Sequence, residues 1–372
     1  MGRVTSQESF LEKRVASIDA LRGFDMFWIT GGEEIIHALY KASPGPATTL
    51  LNTEFQHVPW AGFHFYDLIF PLFLFVVGVV LPFSLSKRLE AGAKRGQLYR
   101  RVFRRLAILF LLGLVYNGLL NFNLHDLRIA GVLQRIALCY FFAALIVMNT
   151  KIRGQAAFFA GILLVYWAVM MLVPVPGVGA AVITPQGNLA SFIDRHLLPR
   201  PFCCFTLGDN EGILSTLPAI ATTLMGVLAG QWLRTRHTPN RKTLGLVAAG
   251  AASLLVGFVW SFNFPIIKNI WTSSFVLVAG GWSLLLLALF YWIIDVRGYK
   301  RWSFFFTVIG VNAITIYLVN KLFDFGTITT IFVHGFIHHL GAVEPVFWAV
   351  SVMMTGWLFL YFLYRQKIFL KI

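Results

Sequence analysis

Uncharged apolar stretches long enough to cross a membrane constrain this chain more than any other feature. A helix needs roughly 17 to 25 apolar residues to cross a hydrocarbon core. Runs without Asp, Glu, Lys or Arg occupy residues 68–86, 106–124, 212–233, 243–267, 269–294, 302–320 and 345–364. A longer run over 154–193 is interrupted by Pro174 and Pro176, so its first part is predicted to span and the rest to form a loop. Two further spans carry charge, over about 16–39 and about 129–149, the second with Arg135 inside it. The expected fold is an all-α polytopic membrane protein of about ten helices in a single domain over residues 1–372, with a possible re-entrant segment over 327–340.

Charged residues make up 13% of the chain, about half the roughly 25% of soluble domains, which excludes a water-soluble fold. The formal charge of +15 does not point to nucleic acid, because the basic residues cluster in short connections between apolar runs. With the amino terminus placed in the cytoplasm, 23 Lys and Arg fall on the cytoplasmic side and 6 on the other. That asymmetry predicts both termini inside, with the basic residues meeting anionic head groups. Three large connections then face away from the cytoplasm, over 40–65, 174–211 and 321–344, and long loops in a compact chain usually carry function.

A charge at mid-bilayer costs about 2.5 to 3.5 kcal/mol even on insertion scales. Asp19, Arg22, Asp25, Asp67 and Arg135 therefore need partners or a wet cavity. Asp19, Arg22 and Asp25 follow one another at intervals of three, so an internal ion pair competes with a functional role for Arg22. Arg128, Gly131 and Arg135, at i, i+3 and i+7 beside Gln134, predict a helical stripe facing the interior or a pore, or an Arg tied to a neighbouring helix end.

His57 stands in the first outer loop, just before a span, in His57-Val58-Pro59-Trp60-Ala61-Gly62-Phe63-His64-Phe65-Tyr66-Asp67. Pro59 and Gly62 predict a turn there. A neutral imidazole oriented by a carboxylate is a nucleophile or general base near pH 7, although most loop histidines are merely solvated. His334 and His338 have the i, i+4 spacing of metal ligands, but Gly335 follows the first where a zinc protease has Glu, so no metal is expected. Cys139, Cys203 and Cys204 form no disulfide framework or metal motif. Ser84 and Lys87 match a penicillin-binding Ser-x-x-Lys by chance, without its companion motifs. Eight basic residues over 87–105, among them Arg101, Arg104 and Arg105, exceed what orientation needs and suit a cytosolic ligand carrying several phosphates.

From about Arg14 to Ile372 the sequence resembles a known family, the transmembrane acyltransferases typified by the lysosomal heparan-alpha-glucosaminide N-acetyltransferase of animals. The carriers are Ser17-Ile18-Asp19-Ala20-Leu21-Arg22-Gly23, His57 with Trp60 and Gly62, Asp67-Leu68-Ile69-Phe70-Pro71, and Gly131-Val132-Leu133-Gln134-Arg135. Further on come Glu211-Gly212-Ile213-Leu214-Ser215-Thr216, Lys268-Asn269-Ile270-Trp271-Thr272, Asp295-Val296-Arg297-Gly298 and the carboxyl-terminal Tyr364 to Ile372.

The resemblance implies transfer of an acetyl group from cytosolic acetyl-CoA to an amino sugar across the membrane. It places His57 at the family's essential histidine, with Asp67 beside it as a second catalytic residue. It implies that Gln134, Arg135, Lys268 and Asn269 line the same cavity, and with Arg22, Arg101, Arg104 and Arg105 they form the expected acetyl-CoA set. The expected partners are acetyl-CoA, an amino-sugar or glycan acceptor and the lipid bilayer, without nucleic acid; a homodimer is left open. An O-acyltransferase of a cell-envelope polysaccharide and a non-enzymatic solute transporter are the alternatives.

Three departures are visible. Against the animal enzyme the chain is expected to lack an amino-terminal luminal segment and its span, Ile29-Thr30-Gly31-Gly32-Glu33-Glu34 replaces an Asn-Tyr-Gly-Gly-Gly stretch, and there is no Asn-x-Ser/Thr sequon. The last fits a bacterial inner membrane better than a lysosome.

Overall fold

The computed structural model describes residues 15–370 except 91, 200, 203 and 206, and omits the side chains of 86–90, 204 and 205. Lys13, Arg14, Arg200, Cys203, Lys371 and Ile372 lie outside the described residues, as do the side chains of Lys87, Arg88 and Cys204. The chain is an all-α polytopic membrane protein. Seven of the described helices are long and apolar enough to cross a membrane, or eight if one bent pair forms a single span. It divides into two compact units, one of residues 15–56, 233–247 and 285–370, the other of 57–232 and 248–284.

The first unit opens with α1 (Ala16–Phe27), a π-helical turn Trp28–Gly32, α2 (Glu33–Ala42) and α3 (Pro46–Glu54). The expected span over 16–39 is therefore not continuous. Gly31 adopts φ 136°, outside the helical region and readily reached only by glycine, and the axis breaks there. The expected span over 302–320 is likewise two helices, α12 (Ser303–Val311) and α13 (Ala313–Leu322), bent by 71° at Asn312. Gly23 of α1 and Gly310 of α12 let the two backbones touch. A Cβ at Gly23 would lie 1.7 Å from the Phe306 carbonyl oxygen, and one at Gly310 would lie 2.1 Å from that of Asp19. The unit closes with α14 (Phe325–Ile337), a 3-10 turn His338–Val343 and α15 (Glu344–Arg365). Thr329 meets Thr355 at 2.8 Å, Phe325 meets Phe359, and Phe336 meets Phe347, so α14 returns antiparallel along α15. Its 13 residues rise about 20 Å, which is short for a span and of the length expected for a re-entrant segment.

The second unit is built on α4 (Ile69–Glu90), followed by α5 (Arg95–Tyr116), α6 (Val132–Asn149), α7 (Ile152–Leu172), the short α8 (Leu189–Leu197) and α9 (Ile213–Leu233). Parts of α10 (Pro239–Ser261) and α11 (Ser273–Phe290) complete it. A two-residue ribbon, β1 (Cys204–Phe205) and β2 (Gly208–Asp209), is the sheet among the described residues. Helices α4 and α9 cross in backbone contact. A Cβ at Gly226 would stand 2.0 Å from the Phe75 carbonyl oxygen, one at Gly230 2.4 Å from that of Val79, and one at Gly78 1.9 Å from that of Thr223. Small residues four apart are the standard means of close helix approach in lipid, where hydrophobic driving force between helices is absent. On α10, Leu255, Phe258 and Val259 are exposed, a cost in water that disappears when the surroundings are acyl chains.

Two sequence expectations need correction here. The basic stretch 87–105 is mostly helix: α4 runs to Glu90 and α5 begins at Arg95, so Arg101, Arg104 and Arg105 lie inside α5. The fourth span begins at Val132 rather than at about 129. The side-chain amide of Asn117 donates to the carbonyls of Arg128 (2.8 Å) and Ala130 (3.0 Å) and holds that stretch extended. Arg128, Gly131 and Arg135 therefore do not form a helical stripe.

Candidate functional site

Two loops of the second unit make the site. The first leaves Phe55 and runs through His57 to a 3-10 turn at Phe65–Leu68 that leads into α4. Within it Gly62 takes φ 133°, as the predicted turn required. The Gly62 amide donates to the Ile266 carbonyl at 2.9 Å, and Ala61 pairs with Ile267 in an antiparallel bridge. That bridge brings in the second loop, residues 262–272, and with it Lys268.

Asp67 is the fixed point. Its side chain is 1% exposed, and a carboxylate buried so deeply needs donors around it. Its Oδ2 accepts from the backbone amides of His64 (3.1 Å) and Val58 (3.3 Å). Its Oδ1 lies 2.9 Å from His57 Nδ1 and 3.3 Å from Lys268 Nζ. An ionised carboxylate only accepts, so Nδ1 carries the proton and Nε2 holds the lone pair. The imidazole is 52% exposed. Lys268 Nζ lies 2.9 Å from Nδ1 and 3.2 Å from Nε2, and the Tyr66 ring packs on the imidazole with centroids 4.8 Å apart. Asn269 occupies the same turn as Lys268 and is partly buried.

Both loops rest on a rigid base. Tyr166, Met170, Val175, Leu189, Phe264, Ile267 and Ile270 form one buried apolar cluster with Trp60 packed against it. Trp60 Nε1 donates to the Ile183 carbonyl at 2.9 Å, and the Tyr166 hydroxyl donates to that of Ile270. Thr272 Oγ1 donates to the Pro265 carbonyl at 2.8 Å and accepts from the Ile267 amide at 3.0 Å. Trp271, with φ 54°, is buried and donates from Nε1 to Thr222 at 3.0 Å.

On this indole lies the second group of interest. The Arg135 guanidinium sits 5.0 Å from the ring centroid and donates to Ser215 Oγ at 2.5 Å. Arg135 is 1% exposed and Gln134 3%, yet Nε and Nη1 of Arg135 and Nε2 of Gln134 have no partner among the described residues. Both line a cavity of about 550 Å³ together with Phe110, Phe142, Glu211 and Thr216. His57, Asp67 and Lys268 do not line it. The structure brings Asp67 and Lys268 to His57, and it connects Arg135 to that trio through Trp271, whose amide donates to the Lys268 carbonyl at 2.9 Å.

The remaining expected residues lie apart. Arg101 and Arg104 are exposed on α5, and Arg105 stacks over Tyr140 at 4.3 Å. Arg22 belongs to the first unit, where it pairs with Asp19 at 3.2 Å. His334 and His338 meet edge to face, with His338 3.4 Å from Glu344.

Sequence reasoning missed an ionic knot. Arg128 binds Asp209 at 2.8 Å through Nε and also pairs with Glu211. Burial opposes its charge, but the hydrogen bond to Asp209 and the charge of Glu211 prevail and raise its pKa. Asp194 accepts from the amides of Ile213 (3.0 Å) and Asp209 (3.4 Å), while burial pushes its carboxyl up to about 6. The only signal in the sequence was acidic residues in a long loop.

Comparison with known proteins bears directly on this arrangement. The family described as "Heparan-alpha-glucosaminide N-acetyltransferase, catalytic" matches residues 14–260, a stretch that includes His57, Asp67, Gln134 and Arg135 and stops short of Lys268. Heparan-alpha-glucosaminide N-acetyltransferase of Homo sapiens is 26% identical over 331 residues, covering 73% of this chain and 49% of the human protein. The Mus musculus protein of the same name is 25% identical over 331 residues, with the same shares. The chain thus spans about half the length of the curated relatives it matches. With two thirds of its residues inside the family match, this chain belongs to the heparan-alpha-glucosaminide N-acetyltransferase family.

Proposed function

We propose that this chain, acting as one transmembrane catalytic domain in a bacterial inner membrane, takes an acetyl group from cytosolic acetyl-CoA. It delivers that group to an amino sugar on the opposite face. The observation that carries the reading is His57, half-exposed, with Nδ1 held by a buried Asp67 so that the lone pair lies on Nε2, the nitrogen able to accept a proton. As the acceptor amine attacks the thioester carbonyl, Nε2 takes the proton from the amine. The new C–N bond forms, the C–S bond breaks, and the proton goes on to the departing thiolate. Lys268 Nζ, 3.2 Å from Nε2, serves as a donor for the oxyanion of the tetrahedral state, with Asn269 next to it in the chain.

The distribution of basic residues supports the orientation, with the α4–α5 connection on the cytoplasmic side and His57 on the other. Arg101, Arg104 and Arg105 share one face of α5 and suit the phosphates of CoA. The unpaired N–H groups of Gln134 and Arg135 suit the carbonyl oxygens of its pantetheine arm. Arg22 enters the donor set as a charge inside an expected span. Replacing the three α5 arginines together with glutamine is expected to raise KM for acetyl-CoA at least about tenfold, and calorimetric titration showing unchanged affinity would remove this face from the donor site.

Purified protein incubated with acetyl-CoA and a panel of free amino sugars should yield N-acetylated product by mass spectrometry. Products acetylated only on hydroxyls would favour an O-acyltransferase. Uptake of labelled sugar into proteoliposomes with no acetylation would favour a transporter.

A further inference from the structure

The first unit holds a cavity of about 660 Å³, wholly lined by its own residues, and the acetyltransfer chemistry above leaves it unused. Its volume lies within the roughly 300 to 1,000 Å³ of typical small-ligand sites. Polarity and burial divide its wall in the same way. Glu34, Asn320, Lys321 and Asp324 are exposed and form the rim, whereas Ile309, Ile316, Met353 and Leu360 are buried and form the depth. Leu322 and Phe323, between Lys321 and Asp324, are exposed as well and carry apolar surface out to the mouth. In a membrane this is the outline of an amphiphile, a charged head at the mouth and a hydrocarbon chain inside. Water finds few hydrogen-bond partners against so apolar a floor, and an unfilled space forfeits dispersion contacts along its lining. An acyl chain fills it at neither cost.

The rim selects the head. Glu34 and Asp324 accept, Lys321 donates and Asn320 does both, a set that matches one ammonium and one phosphate. Two carboxylates against one lysine disfavour a head that is anionic overall. The Asp324 carboxylate is kept ionised by hydrogen bonds from Thr327 Oγ1 (2.6 Å) and the Gly326 amide (2.8 Å), which hold it below the usual carboxylate range. A primary ammonium brings three N–H donors to such carboxylates, and a trimethylated one brings none. Trimethylated heads are held instead by cages of open aromatic faces. Of the three aromatic residues in the wall, Phe325 packs against Phe359 and Trp357 is stacked on Phe305 and Tyr361, and Phe323 by itself makes no cage.

We infer that this cavity binds a membrane glycerophospholipid through a primary-ammonium headgroup. The ammonium sits at Glu34 and Asp324, the phosphate at Lys321, and an acyl chain lies along Ile316, Met353 and Leu360. The site uses none of the residues assigned to acetyl transfer and stands without that reading. The cavity lies beside the 71° bend at Asn312 and the connection between α13 and α14, so the bound chain supplies packing to α13 and α15 where helical continuity is lost.

The test is native mass spectrometry of the full-length protein, delipidated in detergent and titrated with phosphatidylethanolamine, phosphatidylcholine and phosphatidylglycerol of identical chains. Phosphatidylethanolamine is expected to bind at least about tenfold more tightly than either of the others, the scale of one hydrogen bond to a charged group, and to raise the melting temperature most. Glu34→Gln, at an exposed position, is expected to erase that preference while the lipid-free protein melts like the parent. Gly356→Leu fills the deep end, where a Cβ would stand 3.8 Å from Phe325 and 4.0 Å from Ile316 without a clash. It is expected to weaken all three lipids at least about tenfold. Equal affinity for the three lipids, an unaltered preference in Glu34→Gln, or parental affinity in Gly356→Leu overturns the assignment. So does glycerophosphoethanolamine, the same head without chains, if it binds as tightly as the lipid.

Discussion

His57→Ala is expected to lower acetyl transfer at least about 10³-fold while leaving the protein folded. The two halves of that expectation come from different observations. The loss follows because Nε2, whose tautomer is fixed by Asp67 at Nδ1, is the base of the proposed step, and removing it takes away the acceptor of the amine's proton. The unchanged fold follows from exposure: a ring 52% open contributes little packing, and the loop around it is held by the Gly62 to Ile266 hydrogen bond and by Trp60. Turnover by mass spectrometry and the melting temperature, measured on the same preparation, are the readouts. Substantial turnover in a variant that melts like the parent would remove His57 from catalysis.

Asp67→Asn is expected to cost about 10² to 10⁴-fold in turnover, through the tautomer rather than through the fold. The amide is the size of the carboxylate and retains an oxygen for the His64 and Val58 amides. Its NH2, turned towards His57, makes Nδ1 an acceptor, moves the ring proton to Nε2 and eliminates the base. Lys268 also loses its anionic partner at 3.3 Å. Asp67→Ala differs in kind: it leaves two backbone amides and a lysine without their shared acceptor, and aggregation or a lowered melting temperature is expected. If Asp67→Asn keeps parental turnover and Asp67→Ala lowers only stability, Asp67 is structural.

The helical character was legible because lipid imposes a one-dimensional rule, runs of apolar residues of a set length, and that rule needs no knowledge of neighbours. Breaks were read where proline causes them, as at Pro174, and missed where glycine or asparagine does, as at Gly31 and Asn312. Those residues break a helix only when the packed structure gives the break somewhere to go. His57 and Asp67 lie ten residues apart in one loop, so their meeting was within reach of local reasoning. Lys268 is 211 residues from His57. It arrives through a single backbone bridge that leaves no side-chain signature, and only the resemblance pointed to it. Arg128 shows the opposite error. A regular spacing looked helical, but its partners, Asp209 and Glu211, are about 80 residues away and hold it outside the helix.

The glycine seam between α4 and α9 bears on how this protein operates. Two helices whose carbonyl oxygens stand where a methyl group would have to be are interlocked like gear teeth, and neither slides without climbing over the other. Asp67 sits at the head of one and the Ser215 that holds Arg135 at the head of the other. The His57 loop, which leads into α4, is therefore mounted on a joint that resists sliding. Even an alanine at Gly78 or Gly226 would meet backbone, so only glycine fits there.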